Sequence, residues 1–136
     1  MIVSLHVATG AVGGSLVGSR LRALPLGLLL HLAGDRMPHE DIPDRRFEIG
    51  SGIAGVLLLA AVRGPLDPAV SGALAASSPD LEHVFRFPRP GGRKLFPSHR
   101  LHGWHRSGGL PAPVQLVVAG FLVGLLLRRR KEQLGP

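Results

Sequence analysis

All histidine side chains, with Asp35, Asp41 and Asp80 close by in sequence, fall at one set of breaks between the apolar segments of this 136-residue chain. If the chain reverses direction at each break, every histidine lies at one end of the resulting bundle, and the turns at the other end contain none. Imidazole and carboxylate groups gathered in this way suit zinc, manganese or iron. The pattern therefore predicts a polynuclear metal site at one face of a small helical bundle. The seven histidines are His6, His31, His39, His83, His99, His102 and His105.

The strongest motif runs from His31 to Asp41. On a helix, His31 and Asp35 lie four residues apart and share a face, so both side chains can reach one ion. Pro38 is expected to end that helix, which lets His39 and Asp41 turn back toward the same point. The alternative interpretation is a helix end whose polar side chains simply face water.

Two further groups of side chains complete the candidate site. Asp80 and His83 lie three residues apart and share one helical turn, although Asp80 could instead be an N-cap beside a surface histidine. His6 stands alone near the apolar start of the chain, and it becomes a candidate ligand only because the alternating direction of the segments places it level with the others.

A histidine-rich tract precedes the last apolar segment. His99, His102 and His105 are spaced by three residues, and Arg100 and Arg106 alternate with them. Guanidinium groups in this arrangement suit an anionic substrate such as a phosphate ester. The alternative interpretation is a solvated loop that binds metal only adventitiously.

The segments that must position these residues predict an all-α fold of about five helices in a single membrane-embedded domain covering 1–136. A long loop is expected over 84–110, before the last helix, and a basic tail over 128–136. The apolar stretches cover 2–19, 23–34, 49–62, 68–78 and 110–127.

The last apolar stretch is long enough to cross a bilayer and ends in a basic cluster. It predicts an integral protein of the cell membrane with a cytoplasmic C-terminus, whereas the shorter stretches fit either short spans or buried core helices. Gly10, Gly14 and Gly18, and likewise Gly120 and Gly124, form small-xxx-small steps that predict close helix packing, unless they reflect composition alone.

Composition restricts the chemistry. The chain has no cysteine, so disulfides, thiolate metal sites and a cysteine nucleophile are excluded. The formal charge of +7 is a possible sign of nucleic-acid binding. However, most basic residues flank apolar segments instead of alternating with aromatic residues, so no nucleic-acid partner is expected.

Taken together, the motifs resemble those of the small bacterial membrane-bound metal-dependent hydrolases, a group distantly related to zinc-dependent phospholipase C and its related nucleases. The resemblance extends from His6 to about Ser107 and departs from the family at Glu82, where an aspartate is usual. It rests on His6, on His31-x-x-x-Asp35-x-x-Pro38-His39, on Pro79-Asp80-Leu81-Glu82-His83, and on the His99-Arg100 to His105-x-Ser107 run.

The resemblance implies two or three divalent ions, with zinc the expected metal, bridged by carboxylates such as Asp35 or Asp80. It implies hydrolysis of a phosphoester, with a phospholipid as one candidate and the lipid bilayer as a partner. Asp41 or Glu82 would orient the water or carry its proton, and Arg100 and Arg106 would hold the phosphate. The expected metal ligands are His6, His31, Asp35, His39, Asp80, His83, His99 and His105.

Two other functions fit the same residues. A metal transporter would also place histidine and aspartate within a helical bundle, but it needs ligands near the middle of the membrane. A noncatalytic or degenerate relative of the same fold needs no active site at all.

Overall fold

The structure, a computed structural model, describes residues 1–85, 87–104 and 106–134, and it describes only the backbone of 129–134. The described residues form helices and turns without an extended strand, and two isolated bridges join His39 to Ser107 and Leu110. The helices are α1 (Val3–Val17), α2 (Arg20–Arg36), α3 (Arg45–Arg63), α4 (Pro68–Ser77), α5 (Leu81–Val84), α6 (Pro97–Arg100) and α7 (Ala112–Leu134).

The five long helices match the five predicted apolar segments, so the all-α prediction is confirmed. Local chemistry sets several of their ends. Gly18 adopts a left-handed conformation that ends α1 (φ 60°). The Asp44 carboxylate caps the start of α3, and Asp67 caps the start of α4 with Pro68 directly after it. The predicted loop over 84–110 differs in containing the short helix α6.

The core is built from small residues where α1, α2 and α4 pack together. A methyl group added at Gly10 would lie only 2.3 Å from the carbonyl oxygen of Gly72, and one at Gly14 would lie 2.1 Å from that of Pro68. The α1 and α4 backbones can approach so closely only because these positions are glycine. The predicted packing role is confirmed for Gly10 and Gly14, whereas a methyl group added at Gly18, Gly120 or Gly124 would meet no described atom within 4 Å.

A buried glutamine of α7 connects this helix to two segments that carry residues of the predicted site. The Gln115 side chain is fully buried, accepts a hydrogen bond from the backbone of Ile2 (3.1 Å) and donates to the carbonyl oxygens of Glu40 (2.8 Å) and Leu110 (2.9 Å). These bonds fix the start of α1 and the loop after α2 against α7. Both segments carry residues of the predicted metal site.

The prediction of an integral membrane protein is wrong. Among the described residues, no helix is both long enough and apolar enough to cross a membrane. Within the predicted span, α7 begins only at Ala112. Gln115 places a polar amide in the apolar run, where it donates hydrogen bonds to the carbonyl oxygens of Glu40 and Leu110.

Candidate metal centre

Four elements deliver side chains to one end of the bundle. Helix α1 begins there with His6, and α2 ends there with His31 and Asp35. Asp80 lies in the short turn after α4, and His99 lies on α6. The alternating chain direction predicted from the sequence is what brings these ends together.

The donor atoms converge on the Oδ2 atom of Asp35. This oxygen lies 3.0 Å from the Nε2 atom of His31 and 3.3 Å from the Nε2 atom of His99. The two Nε2 atoms are 3.3 Å apart. The Oδ1 atom of Asp80 completes the group, at 4.0 Å from His31 Nε2 and 3.7 Å from His99 Nε2. Buried histidine and aspartate groups of this kind can hold a metal ion.

The Nδ1 atoms of His31 and His99, on the opposite side of each ring from Nε2, also have hydrogen-bond partners. The Nδ1 atom of His31 donates to the carbonyl oxygen of Ala76 (2.7 Å), and that of His99 lies 2.5 Å from the Oε1 atom of Glu82. A carbonyl oxygen can only accept, so neutral His31 carries its proton on Nδ1 and presents a lone pair at Nε2. The same holds for His99 when it is neutral. Both lone pairs therefore point at the carboxylates.

Glu82 is fixed in turn by the backbone. Its carboxylate is buried and accepts hydrogen bonds from the N–H groups of Leu95 (2.7 Å) and Phe96 (3.3 Å). Burial alone would raise the pKa of Glu82, but these bonds and His99 lower it below its usual value. Glu82 thus stays ionised and orients the imidazole of His99, while a proton-carrying role for it stays a prediction.

The second oxygen of Asp35 faces a different set of groups. Its Oδ1 atom lies 3.1 Å from the Nε2 atom of His6 and 3.2 Å from the amino nitrogen of Met1. The Ser98 hydroxyl donates to Oδ2 over 2.6 Å. Burial opposes ionisation, yet the imidazoles of His31, His6 and His99 outweigh it, because each donates a hydrogen bond to the carboxylate when its Nε2 atom carries a proton. They hold the pKa of Asp35 far below its ordinary value.

Burial acts in opposite directions on the neighbouring groups. It lowers the pKa of His6 to about 3, so this imidazole is neutral and stacks on His31 with ring centres 3.9 Å apart. Burial raises the pKa of Asp80 to about 6, and the nearby charge of Asp35 adds to the effect. For His99 burial is outweighed by the bonds to Asp35 and Glu82, which raise its pKa.

Two buried polar atoms of the cluster have no hydrogen-bond partner within the described residues. They are the Oδ2 atom of Asp80 and the Nδ1 atom of His6. A buried acceptor without a partner costs on the order of 1–3 kcal/mol. A cation beside Asp80 would offset this cost, so the donor set fits a metal ion.

The remaining predicted ligands lie around this group. His39 is buried, donates from Nδ1 to the Met37 carbonyl (2.6 Å), and presents Nε2 to the Met1 amino group and to the Oδ1 atom of Asp41 (3.3 Å). Asp41 itself is largely exposed. His83 is exposed, with its ring centre 4.3 Å from that of His99 and the Nζ atom of Lys94 3.1 Å from its Nδ1 atom.

The two predicted phosphate-binding arginines are not brought to the cluster. Arg100 is exposed at the end of α6, and Arg106 is exposed, with its carbonyl accepting a hydrogen bond from the His39 backbone (3.3 Å). Neither lines the cleft beside the cluster. His105, the remaining predicted ligand, lies outside the described residues.

Sequence reasoning missed two groups that hold the ligands. Ser98 and the Ala76 carbonyl both bond to the cluster, yet no residue pattern distinguishes them. The only signal for Ser98 in the sequence was its position directly before the candidate ligand His99. A backbone carbonyl gives no signal at all.

An apolar cleft of about 1010 Å³ opens beside the cluster, between α3 and the end of α4. Asp35, Asp80 and His99 form part of its wall, and Arg45 lines it where α3 begins. Farther along, its wall is aliphatic and includes Ile53, Val56, Leu57 and Leu74. The candidate metal centre is therefore accessible to a ligand from one side.

The chain matches no family model, and neither the curated proteins nor the solved structures include a significant match.

Proposed function

We propose that this protein is a metal-dependent hydrolase that binds a divalent ion, with zinc favoured, and cleaves a phosphoester. The observation that carries the proposal is the convergence of the Nε2 atoms of His31 and His99 on the Oδ2 atom of Asp35, at 3.0–3.3 Å. Tetrahedral zinc with ligand bonds of about 2.0–2.1 Å requires its donors to be about 3.3 Å apart. The three donors already have that spacing.

Asp80 supplies a fourth donor after a small movement. Its Oδ1 atom lies slightly too far from the two imidazoles, at 3.7 and 4.0 Å. It is also the most exposed member of the group, at 19 % of its side-chain surface, and its second oxygen has no hydrogen-bond partner within the described residues. Asp80 can thus shift toward an ion without breaking a hydrogen bond of its own.

The surrounding residues hold the ligands as the second layer of a metal site does. The Ala76 carbonyl and Glu82 fix the two imidazoles, and Ser98 with His6 fixes Asp35. Such partners orient the ligands and strengthen binding by about 10–100-fold. The described donors form two overlapping groups that could hold an ion and that share one histidine: His6, His31 and Asp35 in the first, and His31, Asp80 and His99 in the second. Two or three bound ions, as expected from the resemblance, stay a prediction.

A bound divalent ion lowers the pKa of a water molecule to about 7 and neutralises charge on a phosphoryl group. Asp41 stands at the mouth of the cleft, exposed to solvent and 3.3 Å from His39, where its carboxylate can accept a proton from water. Arg45 replaces Arg100 and Arg106 as the guanidinium nearest the cleft, where it can pair with a phosphate oxygen.

A noncatalytic metal-binding fold is the second candidate. It is favoured by the nearly complete burial of His31 and Asp35, because structural metal sites are closed to solvent. The two candidates agree on metal content and differ only in turnover.

The test is metal analysis of the protein purified without chelators, followed by hydrolysis of bis(p-nitrophenyl) phosphate. We expect about one zinc per chain and a rate that is lost with chelator and restored by zinc. Asp80→Asn should weaken zinc binding by about tenfold or more. His102→Gln, in an exposed histidine of the same tract, is the matched control and should leave binding unchanged.

Absence of stoichiometric metal, or equal zinc affinity in Asp80→Asn and the unmodified protein, contradicts the metal site. Stoichiometric zinc without hydrolysis of the probe supports the noncatalytic candidate instead.

A further inference from the structure

The cleft beside the cluster has a polar end and an apolar end. At the polar end it meets Asp35, Asp80 and His99, together with Asp41 and Glu48. Helix α3 begins at this end and runs away from it, whereas α4 runs toward it. Along α3 and α4 the wall therefore changes from charged to aliphatic, while Leu81, Val84 and Phe85 add apolar surface near Asp80.

The apolar wall is a continuous stripe on α3. Ile49, Gly52, Ile53, Val56 and Leu57 recur at spacings of three, one, three and one, which places them on one face of the helix. From Ile49 to Leu57 this stripe covers about 12 Å at about 1.5 Å per residue. A narrow aliphatic chain can follow such a wall over its whole length.

Several of these side chains are strongly exposed although they are apolar. Leu57 is 63 % exposed, Ile53 is 54 % exposed, and Leu74 faces them from α4 at 50 %. Covering such surface is favourable by about 25 cal/mol per Å². The cleft thus places an exposed apolar surface directly beside the candidate metal centre, and a ligand that covers this surface gains binding free energy.

We propose that the substrate of this site is a single-chain amphiphile with a phosphoester head. The aliphatic chain lies along α3 and α4, and the head lies at Asp35, Asp80 and His99. This inference rests on the proposed function, because the head is the group that the bound ion would act on. It adds the part of the substrate that the apolar wall recognises.

Charge at the polar end makes binding of the head depend on the ion. Four carboxylates, those of Asp35, Asp80, Asp41 and Glu48, line this end. The basic groups that line it are Arg45, His83, His99 and the Met1 amino group. Without a divalent cation the four carboxylates oppose the binding of a phosphate. With the cation bound, the phosphate head should be attracted. The aliphatic part of the ligand should bind whether or not the cation is present.

The experiment measures binding of octyl, decyl and dodecyl phosphate by calorimetry, below their micelle concentrations, to zinc-loaded and chelator-treated protein. We expect affinity to rise by about two- to fourfold per added CH₂ group. Zinc-loaded protein should prefer dodecyl phosphate to dodecanol, and chelator-treated protein should not. Affinity that does not change with chain length, or no preference for the phosphate when zinc is bound, overturns the proposal.

A matched pair of variants distinguishes binding in the cleft from nonspecific binding to other exposed apolar surface. Leu57→Glu places a charge on the aliphatic wall and should weaken dodecyl phosphate binding by about tenfold or more. Leu29→Glu alters a leucine of nearly equal exposure, 61 %, that does not line the cleft, and it should have no effect. Equal affinities in the two variants contradict the proposed chain position.

Different measurements contradict the proposed hydrolase activity and the proposed binding of an aliphatic chain. Hydrolysis of bis(p-nitrophenyl) phosphate needs the metal site but no aliphatic chain, so its absence contradicts the hydrolase. Dependence of binding on chain length, together with the Leu57→Glu effect, reports on the cleft whether or not the probe is cleaved.

Discussion

The Oε1 atom of Glu82 lies 2.5 Å from the Nδ1 atom of His99, and this contact turns the opposite nitrogen of the ring toward Asp35. Glu82 is itself fixed by two backbone N–H groups, so the imidazole is oriented before any ligand arrives. A metal ligand held in this way binds more tightly, because less side-chain freedom is lost on binding.

Glu82→Gln should lower zinc affinity by roughly 10–100-fold while the helical fold is retained, because the amide cannot match the carboxylate as an acceptor. Competition with a chromophoric chelator measures the affinity, and circular dichroism checks the fold. Glu40→Gln makes the same chemical change at an exposed position and should leave the affinity unaltered. Equal affinities in the two variants would show that Glu82 does not support the ligand.

The Ser98 hydroxyl should contribute measurably to stability. It is buried and donates to the Asp35 carboxylate, so Ser98→Ala should lower the free energy of unfolding by about 1–3 kcal/mol, as measured by urea denaturation. The matched control is Ser4→Ala, because the Ser4 hydroxyl is buried with no hydrogen-bond partner within the described residues. Removing that hydroxyl should be neutral or slightly stabilising. A loss of similar size in both variants contradicts the assigned role of Ser98.

Asp80 should make the stability of the metal-free protein depend on pH. Its folded pKa of about 6 lies above the ordinary value of 3.8, so the fold favours the protonated form. This contribution to stability is fully present below the unfolded pKa and is lost as pH rises through about 6. In chelator, Asp80→Asn should therefore match the unmodified protein near pH 4 and become the more stable of the two above about pH 6.5.

Zinc should reverse that order at neutral pH, because only the ionised Asp80 can bind the ion and so gain stability from it. The measurement is the Tm of both proteins across this pH range, with zinc and with chelator. A constant Tm difference at all pH values, or no reversal with zinc, contradicts the raised pKa or the role of Asp80 as a ligand.

The approach of α1 to α4 should tolerate no side chain. Gly10→Ala places a methyl group 2.3 Å from the Gly72 carbonyl oxygen, so the backbones must separate, and the Tm should fall by several degrees. Gly120→Ala is the matched control on an open face of α7, where a methyl group meets nothing within 4 Å. Because alanine is the better helix former by about 1 kcal/mol, this control should be neutral or stabilising. Equal effects on Tm would contradict the close packing.

The sequence alone determined the helices and the end of the bundle at which the site lies. Apolar segments bounded by proline, glycine and capping aspartates specify helices through local interactions, and their alternating direction follows from short connections. That was enough to place His6, His31 and Asp35 at one end. The same local reasoning was wrong about a membrane span. The apolar run over 110–127 predicts one, but no helix among the described residues is both long enough and apolar enough to cross a bilayer.

Only the tertiary structure decided which donors meet and what holds them. His31 and His99 are 68 residues apart, and their Nε2 atoms come within 3.3 Å because α6 folds back over the end of α2. The roles of Ser98, of the Ala76 carbonyl and of the aliphatic cleft depend on burial and on contacts between distant segments. These quantities are set by packing, and a residue's type and spacing along the chain do not contain them.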